Sequence, residues 1–272
     1  MIVDTHTHVV SPDRRRYPQL SVDGDTIAAN WAQRSAISAE QLLDAMDSCG
    51  VDAAVIVQGK GAYGYDNSYA ADARPLAPER LSNASVVDMT APDAVEVLRY
   101  WKTSCGMVGT RLFDIPPAAP IWLGKAVTAE AMAVARELRI PVSVCVLPGG
   151  LPLVARLLEQ ADRWPVALEH CAFVDVLVPS AERDALVGLA RYPNARVKVS
   201  TLTLTRGGDP RDRFDWIAMH FGTDRMMWGS DYPQHGESYG ELLALAKRAS
   251  QRASPRQQGE FLGETAASVW LP

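Results

Sequence analysis

The chain has 272 residues, 47% of them hydrophobic and 22% charged, which is typical of a globular protein and excludes a disordered or fibrous chain. The 27 lysines and arginines against 32 acidic residues give a formal charge of −5, which disfavours a nucleic-acid-binding protein. No apolar run is long enough to span a bilayer, and the amino terminus lacks the pattern of a signal peptide, so we expect a cytoplasmic protein with no membrane partner.

Apolar runs of strand length alternate with helical segments along the chain. Ser38 and Gln41 have the spacing of a helix capping box, and Gly50 is typical of the end of that helix. We expect Thr90 and Thr128 to cap two later helices. The predicted strands are Ile2–Val9, Val51–Val57, Leu81–Asp88, Met107–Asp114, Pro141–Leu147, Pro165–Phe173, Ala195–Thr201 and Arg225–Asp231. The predicted later helices are Pro92–Ser104, Ala129–Arg139, Leu151–Trp164, Ser180–Arg191, Asp212–Phe221, Ser238–Arg252 and Pro255–Trp270.

Eight strands that mostly precede a helix indicate an α/β protein with a parallel sheet buried on both faces. The length divides as 272/8 = 34 residues per unit, which fits a (β/α)₈ TIM barrel of about 250 residues. An open doubly wound sheet is the alternative, but the residues after the first strand contain no G-x-G-x-x-G fingerprint. No linker or composition shift divides the chain, so we expect one domain, residues 1–272.

Cysteine and histidine are scarce in this chain. The cysteines show no C-x-x-C pair, which predicts reduced buried thiols and neither a disulfide framework nor a zinc knuckle. Only five histidines occur, and His6 and His8 fall within the first eight residues. The four cysteines are Cys49, Cys105, Cys145 and Cys171.

Polar residues occur at several predicted strand ends, where a (β/α)₈ barrel carries its active site. His6 and His8 are two residues apart, so both imidazoles face the same side of the first strand. His170 lies near the end of the sixth strand and Asp231 at the end of the eighth. Each histidine alone could be a packing residue. Three imidazoles and a carboxylate at one barrel mouth are costly unless they interact, so the set favours a catalytic site.

Further polar residues are candidates for substrate binding. Arg111 lies inside the fourth strand, where an arginine needs an anionic partner, either substrate or an internal salt bridge. His235 follows the eighth strand and either lines the mouth or faces solvent. The remaining candidates are Arg206, Tyr65, Asn67 and Ser200.

These motifs together resemble the amidohydrolase superfamily, and within it the amidohydrolase 2 branch. The resemblance is carried by His6-Thr7-His8, by His170 and by the strand end Trp228–Pro233. The most similar group is the lactonases, which includes 2-pyrone-4,6-dicarboxylate lactonase and sugar-acid lactonases. The resemblance extends over nearly the whole chain and includes Tyr65–Asn67, Gly109–Arg111, Val197–Ser200 and Phe261–Ala267.

The resemblance implies at most one metal ion. Binuclear members of the superfamily carry lysine or glutamate on strand four and histidine on strand five. Here strand four has Arg111, and strand five, Pro141–Val146, has no histidine. Because the pyrone-dicarboxylate lactonase type works without metal, we expect either no obligatory cofactor or one divalent ion, zinc or manganese. The residues that would hold such an ion are His6, His8, His170 and Asp231.

The resemblance implies a hydrolase that opens the lactone of a small polar or anionic acid. Asp231 would be the general base, and the three histidines would stabilise the developing oxyanion. Arg111 and Arg206 would bind the carboxylate or hydroxyls of an anionic or polyhydroxylated small-molecule substrate. A lactone isomerase, a decarboxylase and a barrel that binds ligand without chemistry are the alternatives. A homo-oligomer is compatible with the sequence.

Overall fold

Short runs rich in valine, alanine and isoleucine form the strands of a nearly closed barrel. The computed structural model describes residues 1–19, 31–115 and 120–271, and within these ranges eight parallel strands pair in chain order. A parallel bridge between Thr7 and Tyr232 returns the last strand to the first, and the His8 amide donates to the Tyr232 carbonyl over 2.8 Å. The predicted (β/α)₈ fold is therefore confirmed, and the open doubly wound sheet is excluded.

Helices follow most of the strands and cover the outside of the barrel. The strands are β1 (Val3–Thr7), β2 (Ala53–Val57), β3 (Leu81–Val86), β4 (Gly109–Asp114), β5 (Val142–Val146), β6 (Val166–Leu168), β7 (Ala195–Ser200) and β8 (Met226–Gly229). The helices are α1 (Trp31–Arg34), α2 (Ala39–Cys49), α3 (Lys60–Tyr63), α4 (Ser68–Ala73), α5 (Ala94–Thr103), α6 (Ala126–Glu137), α7 (Leu151–Gln160), α8 (Ala181–Gly188), α9 (Thr201–Leu204), α10 (Pro210–Phe221), α11 (Tyr239–Ala249), α12 (Pro255–Gly259) and α13 (Thr265–Trp270). Across the described ranges, none of these helices combines the length and the hydropathy that crossing a bilayer requires.

The helix ends test the capping predictions. Ser38 and Gln41 form the expected capping box, and Gly50 ends α2 in the left-handed conformation with φ of 68°. The predictions for Thr90 and Thr128 are wrong. The Thr90 hydroxyl donates to a carboxylate two residues earlier, and Thr128 lies inside α6, where its hydroxyl donates to a carbonyl six residues earlier. The single long helix predicted at the carboxyl end is divided by a π-helical segment, Glu260–Glu264.

The amino-terminal end of the barrel is filled with hydrocarbon. Trp270 is buried there with small or apolar strand residues that include Val3, Ala53 and Ala84. Gly109 at the start of β4 makes room for the indole, because a Cβ at this position would lie 2.4 Å from a Trp270 ring carbon. Because this end of the barrel is filled with apolar side chains, we expect the polar groups at the opposite end, where the carboxyl ends of the strands lie.

We expect Gly109→Ala to destabilise the protein by about 1–3 kcal/mol, because the added methyl group overpacks the contact with Trp270. Urea denaturation gives the free energy of unfolding. Gly188→Ala is the matched control, since a Cβ there meets nothing within 4 Å and the residue ends helix α8. An equal effect of the two substitutions would contradict the assigned role of Gly109.

Candidate active site

Two strands bring their polar ends together at the carboxyl-terminal mouth. His6 lies on β1 and His8 directly follows it, while Asp231 follows β8. The His8 Nε2 lies 3.2 Å from the Asp231 Oδ1, and the His6 Nε2 lies 3.6 Å from the same oxygen. The His170 ring, after β6, has its centroid 4.8 Å from that of His6. All four side chains are buried, so the four predicted catalytic residues occupy one enclosed cluster.

The backbone adopts unfavourable left-handed conformations at His170 and at Asp231. The predicted sixth strand, Pro165–Phe173, ends at Leu168, because His170 and the three residues after it adopt left-handed conformations with φ between 49° and 58°. Asp231 is also left-handed, with φ of 62°. Such conformations are unfavourable for residues with a Cβ, and they cluster at functional sites. These left-handed residues end the extended strands, and the His170 and Asp231 side chains face the mouth of the barrel.

The hydrogen bonds of His8 identify its neutral tautomer. Its Nδ1 lies 2.8 Å from the Val57 carbonyl, which can only accept, so the proton is on Nδ1. The Nε2 of neutral His8 therefore presents a lone pair to the Asp231 carboxylate. Two acceptors that face each other at 3.2 Å repel unless a proton or a cation lies between them.

His6 adds a second imidazole to this group. Both of its ring nitrogens are buried, and neither has a hydrogen-bond partner among the residues that the structure describes. His6, His8 and Asp231 offer ligand atoms within 4.8 Å of one another. Two ligands of a tetrahedral zinc ion, each at about 2.1 Å from the metal, lie about 3.4 Å apart. The observed separations of 3.2 and 3.6 Å bracket that value, so the three residues fit one divalent ion.

His170 belongs to a second group of potential ligands, which it forms with His6 and Glu169. Its Nδ1 lies 2.7 Å from the Ser200 hydroxyl. Burial lowers the pKa of His170 to about 4, so the ring is neutral near pH 7. The predicted ligands thus divide into two groups that share His6. In the group with Glu169, the carboxylate is already paired with Arg111, whereas the Asp231 carboxylate of the other group has no arginine partner among the described residues.

A buried ionic cluster supports the histidines from below. The Glu169 carboxylate accepts from the Arg111 Nε at 2.7 Å and from the Ser143 hydroxyl at 2.7 Å. The Lys198 ammonium lies 3.5 Å from Glu169 and donates to the Thr5 carbonyl at 2.9 Å. Burial by itself raises the pKa of Glu169. Arg111 above all, together with His6 and Lys198, outweighs burial and holds that pKa well below its ordinary value.

Glu169 and Lys198 have roles that the sequence patterns did not predict. The signal was present, because an arginine within a buried strand requires an anion, and Glu169 directly precedes His170. Lys198 likewise lies between Val197 and Val199 in β7. The internal salt bridge considered for Arg111 is therefore present, with Glu169 as its partner.

Asp231 is held as a carboxylate. Burial by itself raises the pKa of this group, but the contacts that His235 and His8 make with its oxygens oppose burial. His170 and His6 act in the same direction, and the pKa of Asp231 lies well below its ordinary value. The His235 Nε2 lies 3.1 Å from the Asp231 Oδ2, and this bond raises the pKa of His235. Asp231 is therefore ionised and oriented from two sides.

A cavity of about 290 Å³ opens above this cluster. Six apolar side chains contribute to its lining and are called the apolar wall below. They are Trp31, Phe113, Ile115, Leu147, Phe173 and Leu202. The polar and charged side chains that line it are His8, Lys60, Arg111, His170, Asp231 and Gln234.

Of the predicted substrate-binding residues, Arg111 lines this cavity in the described part of the chain. Ser200 contacts His170, and His235 contacts Asp231. The Asn67 side chain bonds the Tyr65 carbonyl and the backbone of the residue at the end of β3, so it holds its loop in place. The Tyr65 ring lies 5.4 Å from the Lys60 ammonium. The remaining candidate, Arg206, is exposed and donates to a backbone carbonyl.

The chain is similar in sequence and in fold to several known proteins. The amidohydrolase family model matches residues 3–271. A curated L-fucono-1,5-lactonase from Burkholderia ambifaria is 26% identical over 147 residues, 48% of this chain and 49% of that protein, so the chain matches about half the length of this relative. An amidohydrolase structure from Burkholderia multivorans with bound zinc has a TM-score of 0.79 at 21% identity, with both chains covered completely. A candidate 2-pyrone-4,6-dicarboxylic acid hydrolase from Pseudomonas putida has a TM-score of 0.76 at 21% identity, covering 98% of this chain and 96% of its own.

We expect Glu169→Gln to lower the free energy of unfolding by about 3–5 kcal/mol, because it leaves the buried charges of Arg111 and Lys198 uncompensated. Glu137→Gln is the matched control, since Glu137 also pairs with an arginine but both partners are exposed. Its effect should be small. Equal losses in urea denaturation would show that the Glu169 cluster does not carry the stability assigned to it.

Proposed function

The chain belongs to the amidohydrolase family, and on that premise we propose that it hydrolyses the lactone of a small carboxylic acid. The observation that carries the proposal is the buried, ionised Asp231 carboxylate, which lies 3.2 Å from the His8 Nε2 and lines the cavity. A carboxylate in this position can accept a proton from a water molecule that attacks a bound carbonyl. The similarity to an L-fucono-1,5-lactonase supports the choice of a cyclic ester.

The reaction needs a base, a stabilised oxyanion and a proton for the leaving oxygen. Asp231 accepts the proton from water as the water oxygen bonds to the carbonyl carbon. His170 is neutral and lines the cavity, so its ring is placed to donate to the carbonyl oxygen as negative charge develops there. The acyl C–O bond of the lactone then breaks, and Asp231 returns its proton to the departing alkoxide. The product is the open hydroxy acid.

One divalent ion fits the residues at the base of the cavity. His6, His8 and Asp231 would hold it, and when bound it would polarise the carbonyl and lower the pKa of a coordinated water. His235 keeps the second oxygen of Asp231 engaged, which leaves the first oxygen directed at the histidines. Asp231 therefore keeps one orientation both as a ligand and as a proton acceptor.

Substrate charge and domain organisation also follow as proposals. Lys60 and Arg111 line the cavity, where their charges favour binding of the carboxylate that ring opening produces. Residues from both ends of the chain meet in the barrel, since Trp270 packs against Val3. This packing supports the proposal that the chain acts as one domain.

We expect Asp231→Asn to lower kcat by about 10²–10⁴-fold on a panel of lactones, because the amide cannot accept the proton of water. Acid release is measured with a pH indicator, and circular dichroism checks that the fold is retained. Asp44→Asn, on the exposed face of α2, is the matched control. Turnover at the wild-type rate in Asp231→Asn would exclude this residue as the base. Product without acid release would instead indicate an isomerase, and released CO₂ a decarboxylase.

We expect chelator-treated protein to bind one zinc ion per chain, with a rise in Tm, because a ligand that binds the folded state stabilises it. His8→Ala should weaken zinc binding by more than about tenfold, because a neutral imidazole nitrogen is lost from the site. His220→Ala is the control, since this ring bonds a carbonyl on its own helix, away from the cavity. Calorimetry that finds equal affinity in the two variants would contradict the proposed ligands.

A further inference from the structure

Much of the cavity lining is hydrocarbon. The apolar wall supplies six hydrocarbon side chains, and Leu147 among them is 39% exposed. Phe113, Phe173 and Leu202 are also partly exposed within this concave surface. Apolar side chains that stay exposed in a cavity form a binding surface for hydrocarbon.

Aromatic rings of the apolar wall lie directly against the catalytic histidines. The Trp31 ring centroid is 5.2 Å from that of His8, and the Phe173 ring centroid is 5.0 Å from that of His170. The atoms that flank the reacting carbonyl therefore face aromatic carbon. A hydroxyl group that lies against these two rings would contact carbon and lose its hydrogen bonds to water, which weakens binding.

Most of the side chains that the sequence offered for binding substrate hydroxyl groups form hydrogen bonds within the protein instead. Asn67 bonds three backbone groups of its own region, Ser200 bonds His170, and His235 bonds Asp231. Arg206 donates to the Phe173 carbonyl at the surface. Of the substrate-binding candidates in the sequence, Arg111 therefore reaches the cavity within the described part of the chain, while Asn67, Ser200, His235 and Arg206 are engaged elsewhere.

The size of the cavity restricts the substrate further. Small-molecule sites range over about 300–1,000 Å³, so a volume of about 290 Å³ lies at the small end. It accommodates a single lactone ring with one compact substituent. An extended or oligomeric substrate would not fit within the described walls.

We propose that the natural substrate is a compact lactone whose substituent is alkyl or aryl, not a polyhydroxylated sugar-acid lactone. The inference rests on the proposed lactonase activity and names its substrate class. Water adds to the lactone carbonyl, the acyl C–O bond breaks, and the departing oxygen takes the proton that Asp231 received. The substituent takes no part in this chemistry and lies against Phe173 and Leu202.

Two five-membered lactones that differ in their substituents test the proposal. They are γ-phenyl-γ-butyrolactone and D-galactono-1,4-lactone, each assayed for kcat/KM with the intact protein. We expect kcat/KM to be at least about tenfold higher for the phenyl lactone, since matched hydrocarbon contacts in a pocket give such ratios. Faster hydrolysis of the galactonolactone, or equal rates, would overturn the proposed substrate class.

A variant of the apolar wall tests the same contact. Leu202→Asn should lower kcat/KM for the phenyl lactone by about tenfold, because it places an amide against the substituent. Leu76→Asn is the matched control, since Leu76 is 50% exposed and lies outside the cavity. Unchanged activity of Leu202→Asn, measured on protein with a wild-type unfolding curve, would contradict the proposal.

A binding measurement separates this proposal from lactonase activity itself. The open acids 4-hydroxy-4-phenylbutanoate and galactonate are titrated into the wild-type protein by calorimetry, which requires no turnover. We expect the phenyl acid to bind at least about tenfold more tightly, with the negative heat-capacity change of apolar burial. That result without hydrolysis of any lactone would refute the proposed reaction and retain the substrate class. Preferred binding of galactonate, equal binding, or no binding of either acid would refute the substrate class.

Discussion

The buried carboxylate of Glu169 is the constraint on which the site depends. It follows β6 and joins side chains from β4, β5 and β7, since Arg111, Ser143 and Lys198 all contact it. The His6 Nδ1 from β1 lies 3.7 Å away. A buried charge is tolerated only when its partners are well placed, so these strands share one arrangement. His6 contacts Glu169 and His170 directly follows it in the chain, so the position of this carboxylate also fixes the positions of the two histidines.

The barrel is therefore layered from one end to the other. Trp270 fills the amino-terminal end with hydrocarbon, and the Lys198 ammonium lies 4.9 Å above its ring. The ionic cluster comes next, followed by the His6 ring, whose nitrogens have no hydrogen-bond partner in the described ranges. Because the hydrocarbon layer excludes water, electrostatic interactions in the layers above are stronger than at a surface. The pKa of Glu169 is low because Arg111 and its neighbours outweigh burial, and the pKa of Asp231 is low because its contacts with histidine side chains do the same.

The mouth combines these polar groups with the apolar wall. The loops after the strands determine what a (β/α)₈ barrel binds, while the strand ends supply its reacting groups. Here Trp31 and Phe173 bring hydrocarbon within 5.2 Å and 5.0 Å of the two histidine rings. A relative that acts on a sugar lactone can therefore share the strand-end residues and differ in the substrate that its loops accept.

The sequence by itself determined the eight strands, their order around the barrel and the strand ends that carry His6, His8, His170 and Asp231. These features depend on local periodicity and on chain order, which a sequence displays directly. The tertiary structure alone decided that Glu169 pairs with Arg111, that strand six ends in a left-handed turn, and that polar candidates such as Asn67 support loops instead of substrate. Those outcomes depend on which side chains meet across the barrel, and residues 58 positions apart, such as Arg111 and Glu169, leave no local pattern.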